Sequence, residues 1–455
     1  MTLMLRVIRR ASALTGLALA LLNCGPAQAL PSFARQTGSE CAACHIGAYG
    51  PHLTAFGQLF KMAGYTDTGG DQGAGSVPLS ARLRINNINP VQGGSDTRVD
   101  EADVYLAGRL MNNVGALVDV RRDDAGNGSV NTYLRNLDLR YVRELKLGDK
   151  DALLGLTLNN NPGIQDPIDA NMAWGFPAIA TDGSLFNPTP GSGQLPGRVL
   201  GLTAYTYVDK TWYAEAGAYR TMSRSLQDRL RLDPTAQDPG AMDGIAPYWR
   251  LAYIHDFKSQ AVSLGWYGMT ADKHLSVLSA PGAPRVTERS GPADHYRDVG
   301  LDASYLYRGD RSNTWQLRAN FVEERRDYGS TPVVFGRTAG GSGKVREATF
   351  MATYSFNETW SASAARLRSR TSEDPVRYLN GTADSDLKYY ELAWVPFGKE
   401  DSWGAPWANL RILAAWLKFD KFNGASNDIF GSRFGGPLVN ANDLSSLQIS
   451  ASLTF

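Results

Sequence analysis

Two cysteines and a histidine stand close together near the start of the chain, in the pentapeptide Cys41-Ala42-Ala43-Cys44-His45. The spacing Cys-x-x-Cys-His is the attachment pattern of c-type haem. In this pattern the two thiols form thioethers at one edge of the porphyrin, and the adjacent imidazole is the proximal ligand of the iron. The motif therefore predicts one haem c, bound through Cys41 and Cys44, with His45 as an axial ligand.

Two other interpretations of the motif are open. Two cysteines of an exported chain could form a disulfide, but a disulfide gives no reason for the neighbouring histidine. A structural zinc site needs four ligands, and two cysteines with one histidine leave it one ligand short. We therefore favour haem over both.

The first 29 residues are predicted to be a secretory signal peptide. They combine a positive start, a short apolar core and a small-x-small cleavage site: Arg6, Arg9 and Arg10, then residues 14–22, then Ala27-Gln28-Ala29. Cys24 could mark a lipoprotein, but Asn23 stands where lipid attachment needs a small residue. Cleavage after Ala29 removes Cys24 and places the motif in the compartment where haem c is attached.

Residues 30–78 are predicted to form a small haem segment. Four apolar residues recur in it at helical spacing: Leu53, Phe56, Leu59 and Phe60. This spacing predicts a helix over residues 54–62 that ends before Gly64. We expect the apolar side chains to cover one face of the haem, to pack against the rest of the chain, or both.

The sixth ligand of the iron is left open by the sequence. Met62 would raise the reduction potential, whereas His52 would lower it. An open or water-bound position is the third alternative. Met62 on the apolar side of a short helix is also an ordinary core residue, and His52 is also an ordinary surface residue.

After about residue 79 the pattern changes to strict alternation. From Leu447 to Phe455 every second residue is apolar and the residues between are polar. The same alternation recurs in the runs 298–307, 315–321 and 347–356. Strands of about ten residues with one apolar and one polar face are typical of outer-membrane barrels. A soluble multi-sheet protein is the alternative.

Connection lengths support the barrel. About sixteen strands are predicted, starting near residues 79, 99, 113, 130, 151, 196, 210, 244, 260, 293, 313, 343, 359, 384, 406 and 443. Short turns, as at 111–113, 208–210, 257–260 and 356–358, alternate with long polar insertions at 160–193, 221–243, 272–293, 327–344, 371–384 and 422–443. Short periplasmic turns and long external loops are the asymmetry expected of such barrels.

The chain is therefore predicted to be an all-β, antiparallel outer-membrane barrel over residues 79–455, preceded by the helical haem segment. An even strand number returns the C-terminal Phe455 to the periplasmic side, where the haem segment begins. A barrel of about sixteen strands leaves a wide lumen, and we expect the haem segment to plug it. The terminal aromatic residue resembles the assembly signal of outer-membrane proteins.

Composition and motifs exclude several other functions. The chain has 455 residues with 46 basic and 45 acidic side chains and no long block of one sign, so a nucleic-acid partner is not expected. His255, His274 and His295 are scattered and lack metal-ligand spacing. No glycine-rich phosphate loop opens a helix, so hydrolase and nucleotide chemistry are not expected.

The run PSFARQTGSECAACH, followed by PHLTAFGQLFKMAGYT, resembles the N-terminal segment of the fused outer-membrane cytochrome–porins. The best-known members are the monohaem outer-membrane c-type cytochromes of iron-oxidising bacteria. The resemblance is specific over about residues 30–66 and only architectural beyond them. It implies one haem c on Cys41 and Cys44, with His45 as axial ligand. It also implies electron transfer from extracellular Fe(II) to a periplasmic carrier, a c-type cytochrome or a copper protein.

One further cofactor contact can be expected in this stretch. Arg35 could pair with a haem propionate, since a guanidinium binds a carboxylate through two parallel hydrogen bonds. The alternative is that Arg35 and Gln36 line the wall of the lumen.

Three functions follow from these expectations. The first is an electron conduit that oxidises extracellular Fe(II), and the second is a conduit for another extracellular redox partner. The third is a diffusion porin whose haem segment is a structural or sensing plug. Loop carboxylates could attract iron, although ordinary solvated charges are the simpler interpretation: Asp166, Asp169, Asp384 and Asp386.

Overall fold

The structure of the chain is a computed structural model. It describes residues 30–70, 76–124, 130–167, 182–186, 198–232, 240–278, 285–287, 289–310, 312–335, 338–399, 402–432 and 437–455. The predicted signal peptide, residues 1–29, lies outside these residues.

Sixteen antiparallel strands make up most of the described chain. In chain order they are β1 (Leu79–Pro90), β2 (Asp96–Met111), β3 (Val114–Asp124), β4 (Val130–Leu147), β5 (Lys150–Asn159), β6 (Val199–Val208), β7 (Trp212–Thr221), β8 (Ala246–Asp256), β9 (Gln260–His274), β10 (Asp294–Asp310), β11 (Asn313–Asp327), β12 (Ser342–Phe356), β13 (Trp360–Thr371), β14 (Ser385–Trp394), β15 (Asn409–Lys421) and β16 (Ser446–Thr454). A two-residue strand, Ala241–Met242, extends the edge of β9. Ser276–Leu278 and Arg285–Thr287 form a separate hairpin.

The helices are short. They are α1 (Pro31–Thr37), α2 (Cys41–Cys44), α3 (Ala55–Met62), α4 (Pro162–Gln165), α5 (Arg224–Arg229) and α6 (Ser330–Phe335), with 3-10 turns at Ile46–Ala48 and Ala441–Leu444. None of the helices in the described ranges is long and apolar enough to cross a bilayer. Helix α3 begins after the N-cap Thr54, whose side chain accepts from the Gly57 amide at 3.1 Å, close to the predicted helix over 54–62.

The sheet closes on itself. Each strand pairs with its neighbours in sequence, and β16 pairs with β1, so that Arg82 lies opposite Thr454 and Pro90 opposite Ser446. Closure leaves no strand edge unpaired, as a structure that spans lipid requires. The predicted antiparallel barrel of about sixteen strands is confirmed, and four predicted strand starts coincide with observed ones: 79, 130, 260 and 313.

Side chains alternate between the outer surface and the lumen as predicted. Along β10, Leu301 and Tyr305 are exposed, whereas Asp302 and Ser304, which lie between them, are buried. Strands β11, β12 and β16 alternate in the same sense. Exposed apolar side chains therefore cover the outside of the barrel, which is the surface that an outer-membrane barrel presents to lipid.

The two rims of the outer surface differ. At the rim with the short turns, aromatic rings lie in contact at Trp212–Tyr253, Trp315–Tyr354 and Trp360–Trp394, with centroids 5.3, 4.5 and 5.8 Å apart. Aromatic girdles of this kind mark the interfaces of a membrane barrel. At the opposite rim, outward positions of β11–β15 carry charged side chains instead.

The connections follow the predicted asymmetry. The first and last strands begin and end at the rim with the short turns, among them Asp209-Lys210 and Asn357-Glu358. Both of these turns have positive φ at two successive residues, which suits the right-handed twist of the flanking strands. The longest connections join strands at the opposite rim.

The N-terminal segment lies inside the lumen, as expected. No barrel strand starts before Leu79 in the described chain, and the segment hydrogen-bonds to strands on all sides. Donor and acceptor pairs run from Ser32 N to Ser80 Oγ (3.0 Å), Arg109 N to Gln36 Oε1 (2.6 Å), Tyr65 Oη to Asp138 Oδ2 (2.7 Å), Gln316 Nε2 to the Leu53 carbonyl (3.4 Å) and Asn409 Nδ2 to the Ala48 carbonyl (2.9 Å).

A buried arginine of β4 anchors the segment to the wall. Arg140 pairs with Asp138 at 3.0 Å and donates to the Lys61 carbonyl at 3.1 Å. Its guanidinium also lies over the rings of Tyr65 and Tyr205, 5.4 and 5.7 Å from their centroids. Because Arg140 is fully buried, removal of either partner would leave an uncompensated charge.

Part of the longest connection enters the lumen from the opposite rim. Asp182 accepts hydrogen bonds from Arg326 at 2.7 and 2.9 Å and from Arg377 at 2.8 Å. The Phe186 ring packs edge-on against Tyr267 at 5.0 Å. The lumen is therefore filled from both sides, by the N-terminal segment and by residues 182–186.

The outer surface yields a depth-dependent prediction. Leu301→Arg, within the apolar band, should cost about 2–4 kcal/mol of unfolding free energy in vesicles, whereas Tyr307→Arg, at the aromatic rim, should cost about 0–1 kcal/mol. Denaturant titration of the two variants in the same lipid measures the difference. Equal costs at the two positions would contradict a lipid-facing band.

Candidate functional site

The cysteine–histidine motif lies on the side of the N-terminal segment that contacts the barrel. Helix α2 contains both cysteines, and the Ala42 amide donates to the Gly398 carbonyl at 3.1 Å. Cys41 is 0% exposed and packs with Ala48 and Val395. Its sulfur accepts a hydrogen bond from the Asn409 amide at 3.1 Å, so the first cysteine faces β15.

The two thiols are not joined in a disulfide. Burial raises the pKa of the Cys44 thiol to about 12, and the nearby charges of Glu40 and Asp67 act in the same direction. Cys44 is therefore a neutral thiol in this environment. A redox-active Cys-x-x-Cys pair instead needs a lowered thiol pKa, so dithiol exchange chemistry is disfavoured here.

His45 follows α2 in extended conformation. Its amide donates to the Cys41 carbonyl at 2.8 Å, and the residue forms an isolated bridge with Leu53. Burial lowers the pKa of His45 to about 4, while a backbone group of His52 acts in the opposite direction. The imidazole is thus neutral, and its buried Nδ1 atom has no hydrogen-bond partner among the described residues. A neutral imidazole is the form that binds a metal.

Cys44 and His45 line one cavity of about 290 Å³ between the segment and the wall. This volume is just below the usual range for small-molecule sites, roughly 300–1,000 Å³. The wall is formed by strands on one side of the barrel, chiefly β1–β4 and β14–β16. Cys41 is not among the lining residues, because its side chain turns toward Asn409.

His52 lines the same cavity, but its ring is already engaged. Arg318 Nη2 donates to His52 Nδ1, and since arginine is always a donor, the proton of neutral His52 lies on Nε2. Burial, followed by the Arg318 charge, lowers the pKa of His52 well below its usual value. In this tautomer neither ring nitrogen is free to bind iron.

Met62 lies on the other side of α3. It is 1% exposed and packs with Val142, Tyr205 and Tyr213 of the wall. It does not line the cavity. The structure thus brings Cys44, His45 and His52 to one cavity and places Met62 outside it.

Arg35 and Gln36 contact the barrel wall. Arg35 Nη2 donates to the Leu79 carbonyl at 2.6 Å, and its guanidinium lies 4.8 Å from the centroid of the Trp407 ring. Gln36 Oε1 accepts from the Arg109 amide of β2 at 2.6 Å, and its Nε2 donates to the Tyr65 carbonyl within the segment at 2.8 Å. Neither residue lines the cavity, so a propionate contact of Arg35 stays a prediction without a supporting contact.

Other arginines line the cavity, and the sequence did not single them out. Arg82 donates to Asp103 at 2.7 Å, and Arg121 donates to the other oxygen of the same carboxylate at 2.8 Å. On the facing strands, Arg411 donates to Glu391 at 2.6 Å and lies over the Tyr49 ring at 5.4 Å. The alternation along each strand could have identified these arginines as facing the lumen. It could not show that they share a cavity, because that depends on the closure of the barrel.

The apolar part of the cavity is built mainly by the segment itself. Phe33 lies 5.1 Å from Phe60 and 5.4 Å from Tyr65, measured between ring centroids. Leu53 and Phe60 line the cavity as expected. The other two residues of the predicted apolar set, Phe56 and Leu59, do not line the cavity and are each 37% exposed.

These residues suit a haem c. The cavity is lined by a neutral imidazole, one thiol, apolar rings and arginine side chains, and the buried Nδ1 atom of that imidazole has no hydrogen-bond partner among the described residues. Attachment through Cys41 would replace its hydrogen bond from Asn409.

The acidic loop residues are not solvated charges. Asp166 is buried and lies 3.2 Å from Arg250, and Asp384 lies 3.0 Å from Lys421. Asp386 pairs with Arg370 and Arg368. The expectation that these three are exposed is wrong, because each neutralises a basic side chain. Asp169 lies outside the described residues, and no group of three or more metal-binding side chains occurs in the described parts of the chain.

No family model matches the chain, and no curated protein matches it. Solved structures of similar shape include OmpT of Vibrio cholerae (11% identity, 84% of this chain, 97% of that one, TM-score 0.41), an anion-selective porin from Comamonas acidovorans (12%, 83%, 98%, 0.41) and the outer-membrane channel DcaP of Acinetobacter baumannii (10%, 84%, 97%, 0.42). At these identities and TM-scores the likeness carries no functional argument. The chain is an outer-membrane-type barrel by its own strand pairing.

Proposed function

We propose that this protein is an outer-membrane electron conduit with a single haem c. It takes electrons from an extracellular donor such as Fe(II) and delivers them to a periplasmic carrier. The observation that supports this most is the position of the Cys-x-x-Cys-His motif inside the lumen of a closed barrel. A motif on the outside of the barrel would have no such role.

The residues assigned to the cofactor are Cys41 and Cys44 for the thioethers and His45 for the iron. Haem c supplies a one-electron Fe(III)/Fe(II) couple when bound. Arg82, Arg121 and Arg411 place positive charge around the cavity, although acidic partners balance part of it. Positive charge favours the reduced, more negative state of a redox centre.

The proposed orientation follows the loop lengths. Long loops of such barrels face outward and short turns face the periplasm, so the rim with both ends of the barrel is assigned to the periplasm. The N-terminal segment then lies near the periplasmic carrier. Residues 182–186 fill the lumen from the cell exterior.

The packing of the lumen favours electrons over solutes as cargo. The segment hydrogen-bonds to β1, β2, β4, β11 and β15, and the Asp182–Arg326 pair closes part of the opposite end. An electron needs no continuous water path, whereas a sugar or an amino acid does. A donor other than Fe(II) fits the same arrangement.

A diffusion porin with a structural or sensing plug is the second candidate. One observation favours it: the cavity wall carries arginines of β1 and β3 close to the acidic Glu101 and Asp103 of β2. Rows of opposite charges that line a lumen can select solutes by charge. The two candidates differ in what crosses the membrane.

The first prediction separates these candidates. In vesicles that carry the full mature chain, external Fe(II) should reduce the haem, as measured by its absorbance spectrum. The rate of sugar influx should equal the rate in protein-free vesicles. The double variant Cys41→Ser with Cys44→Ser should lose covalent haem, and with it the reduction. Rapid sugar influx without haem reduction would establish the porin instead, and a mature chain without porphyrin in its mass spectrum would remove the conduit.

The second prediction concerns the sixth ligand. Met62→Leu should leave the haem absorbance and midpoint potential unchanged, because Met62 packs on the wall side of α3. Loss of an axial ligand changes both, and His45→Ala serves as the positive control. A lower potential in Met62→Leu would show that Met62 reaches the iron.

The third prediction concerns charge at the cavity. Arg411→Gln should lower the midpoint potential by tens of millivolts. This shift corresponds to about 1 kcal/mol for the partly screened interaction between one charge and the haem. The substitution removes a cation and leaves Glu391 without that partner, and both changes disfavour an added electron. Arg35→Gln removes a cation outside the cavity lining and is the matched control. Equal potentials in the two variants would contradict the assignment.

A further inference from the structure

A strip of basic side chains crosses the outer surface at the long-loop rim. It consists of Arg325 on β11, Lys344 and Arg346 on β12, Arg366, Arg368 and Arg370 on β13, Lys388 on β14 and Lys418 on β15. We call these residues the basic strip. Along β13 the residue between Arg366 and Arg368, Leu367, is only 4% exposed and faces the lumen, so the arginines face outward.

The pairing register places like charges directly opposite each other. The opposed pairs are Arg325 with Lys344, Arg346 with Arg370, Arg366 with Lys388, and Lys388 with Lys418. Like charges in directly opposed positions destabilise a sheet. Four such oppositions lie on adjacent strands, and a bound anion would reduce the repulsion within them.

The carboxylates within the strip do not match this charge. Glu323 is shared by Arg325 and Arg346, at 3.0 and 2.8 Å. Asp420 is likewise shared by Lys388 and Lys418, at 2.7 and 3.9 Å. Asp386 is also shared between arginines of β13, and Asp384 is shared by Arg370 and Lys421 at 3.7 and 3.0 Å. The whole chain has a formal charge of only +1, so the excess is a local property.

The strip borders the lipid-facing band and remains accessible. Phe350, an exposed residue of that band, lies directly opposite Arg366. The side chains of Arg325, Arg346 and Arg366 are 63%, 55% and 48% exposed despite their acidic neighbours. The strip therefore lies at the level where lipid headgroups meet the barrel.

We propose that the basic strip binds the phosphate groups of lipopolysaccharide, the phosphorylated glycolipid of the outer leaflet. Guanidinium groups bind phosphate through two hydrogen bonds, and lysine adds a point charge. A second copy of the same strip is a poor occupant, because it would bring further like charges together. The inference uses the orientation assigned above and is independent of the haem.

The test compares two double variants of the full mature chain in detergent. Arg366→Gln with Lys388→Gln removes two of the four like-charge oppositions, because Lys388 lies opposite both Arg366 and Lys418. Arg143→Gln with Lys146→Gln removes the same two residue types from exposed positions at the short-turn rim and is the control. Native mass spectrometry measures the binding of lipopolysaccharide, of the same lipid after enzymatic removal of its phosphates, and of inorganic phosphate alone.

Lipopolysaccharide should bind the wild-type chain and the control with equal affinity. It should bind the strip variant at least about tenfold more weakly, since each of the two basic residues contributes about 1 kcal/mol of binding free energy near a charged lipid surface. Dephosphorylated lipid should bind the wild type as weakly as lipopolysaccharide binds the strip variant. In lipid-free detergent the strip variant should unfold at the same or a higher temperature than the wild type, because two like-charge oppositions are gone.

Equal affinity of the strip variant and the wild type would overturn the proposal. So would equal binding of phosphorylated and dephosphorylated lipid, or a thermal stabilisation by inorganic phosphate equal to that by the lipid. Should the strip variant fail to fold, the lipid-free stability prediction is contradicted, and the comparison of the two lipids on the wild-type chain decides the phosphate requirement.

Discussion

The hydrogen bonds between the first and last strands are the interaction on which the structure depends. Without the β1–β16 ladder, two strand edges would meet lipid with unpaired backbone groups, and the sheet would not persist in a membrane. The same ladder sets the register that brings Arg82 beside Thr454, both of which line the cavity. Because the N-terminal segment lies inside the ring, closure also fixes its surroundings on all sides.

The lumen imposes an unusual pattern on the segment it contains. A barrel interior is polar, so the outer surface of the segment is held by hydrogen bonds, as from Arg140 to the Lys61 carbonyl and from Tyr65 to Asp138. Its apolar side chains instead gather around Phe33, Phe60 and Tyr65, beside the cavity. Polar contacts thus position the segment, and the cavity keeps an apolar part within a polar barrel.

The fold was predictable because its signal is local. Alternation along single strands, as from Leu447 to Phe455, and the spacing of Cys41, Cys44 and His45 can be read without knowledge of distant contacts. The cavity wall was not predictable in this way, since Arg411 and Arg121 come to line the same cavity as His45 only through closure. Met62 shows the same limit: an apolar residue on a short helix can face a cofactor or a wall, and only packing decides.

The burial of Cys41 has a consequence for biogenesis. With its sulfur enclosed by Asn409, Val395 and Ala48, no ligating enzyme can approach it in the finished barrel. Any group bonded to that sulfur has to be added earlier, while the segment is still an unenclosed export intermediate. Chain order favours this sequence of events, because the segment leaves the export machinery before the strands that later surround it.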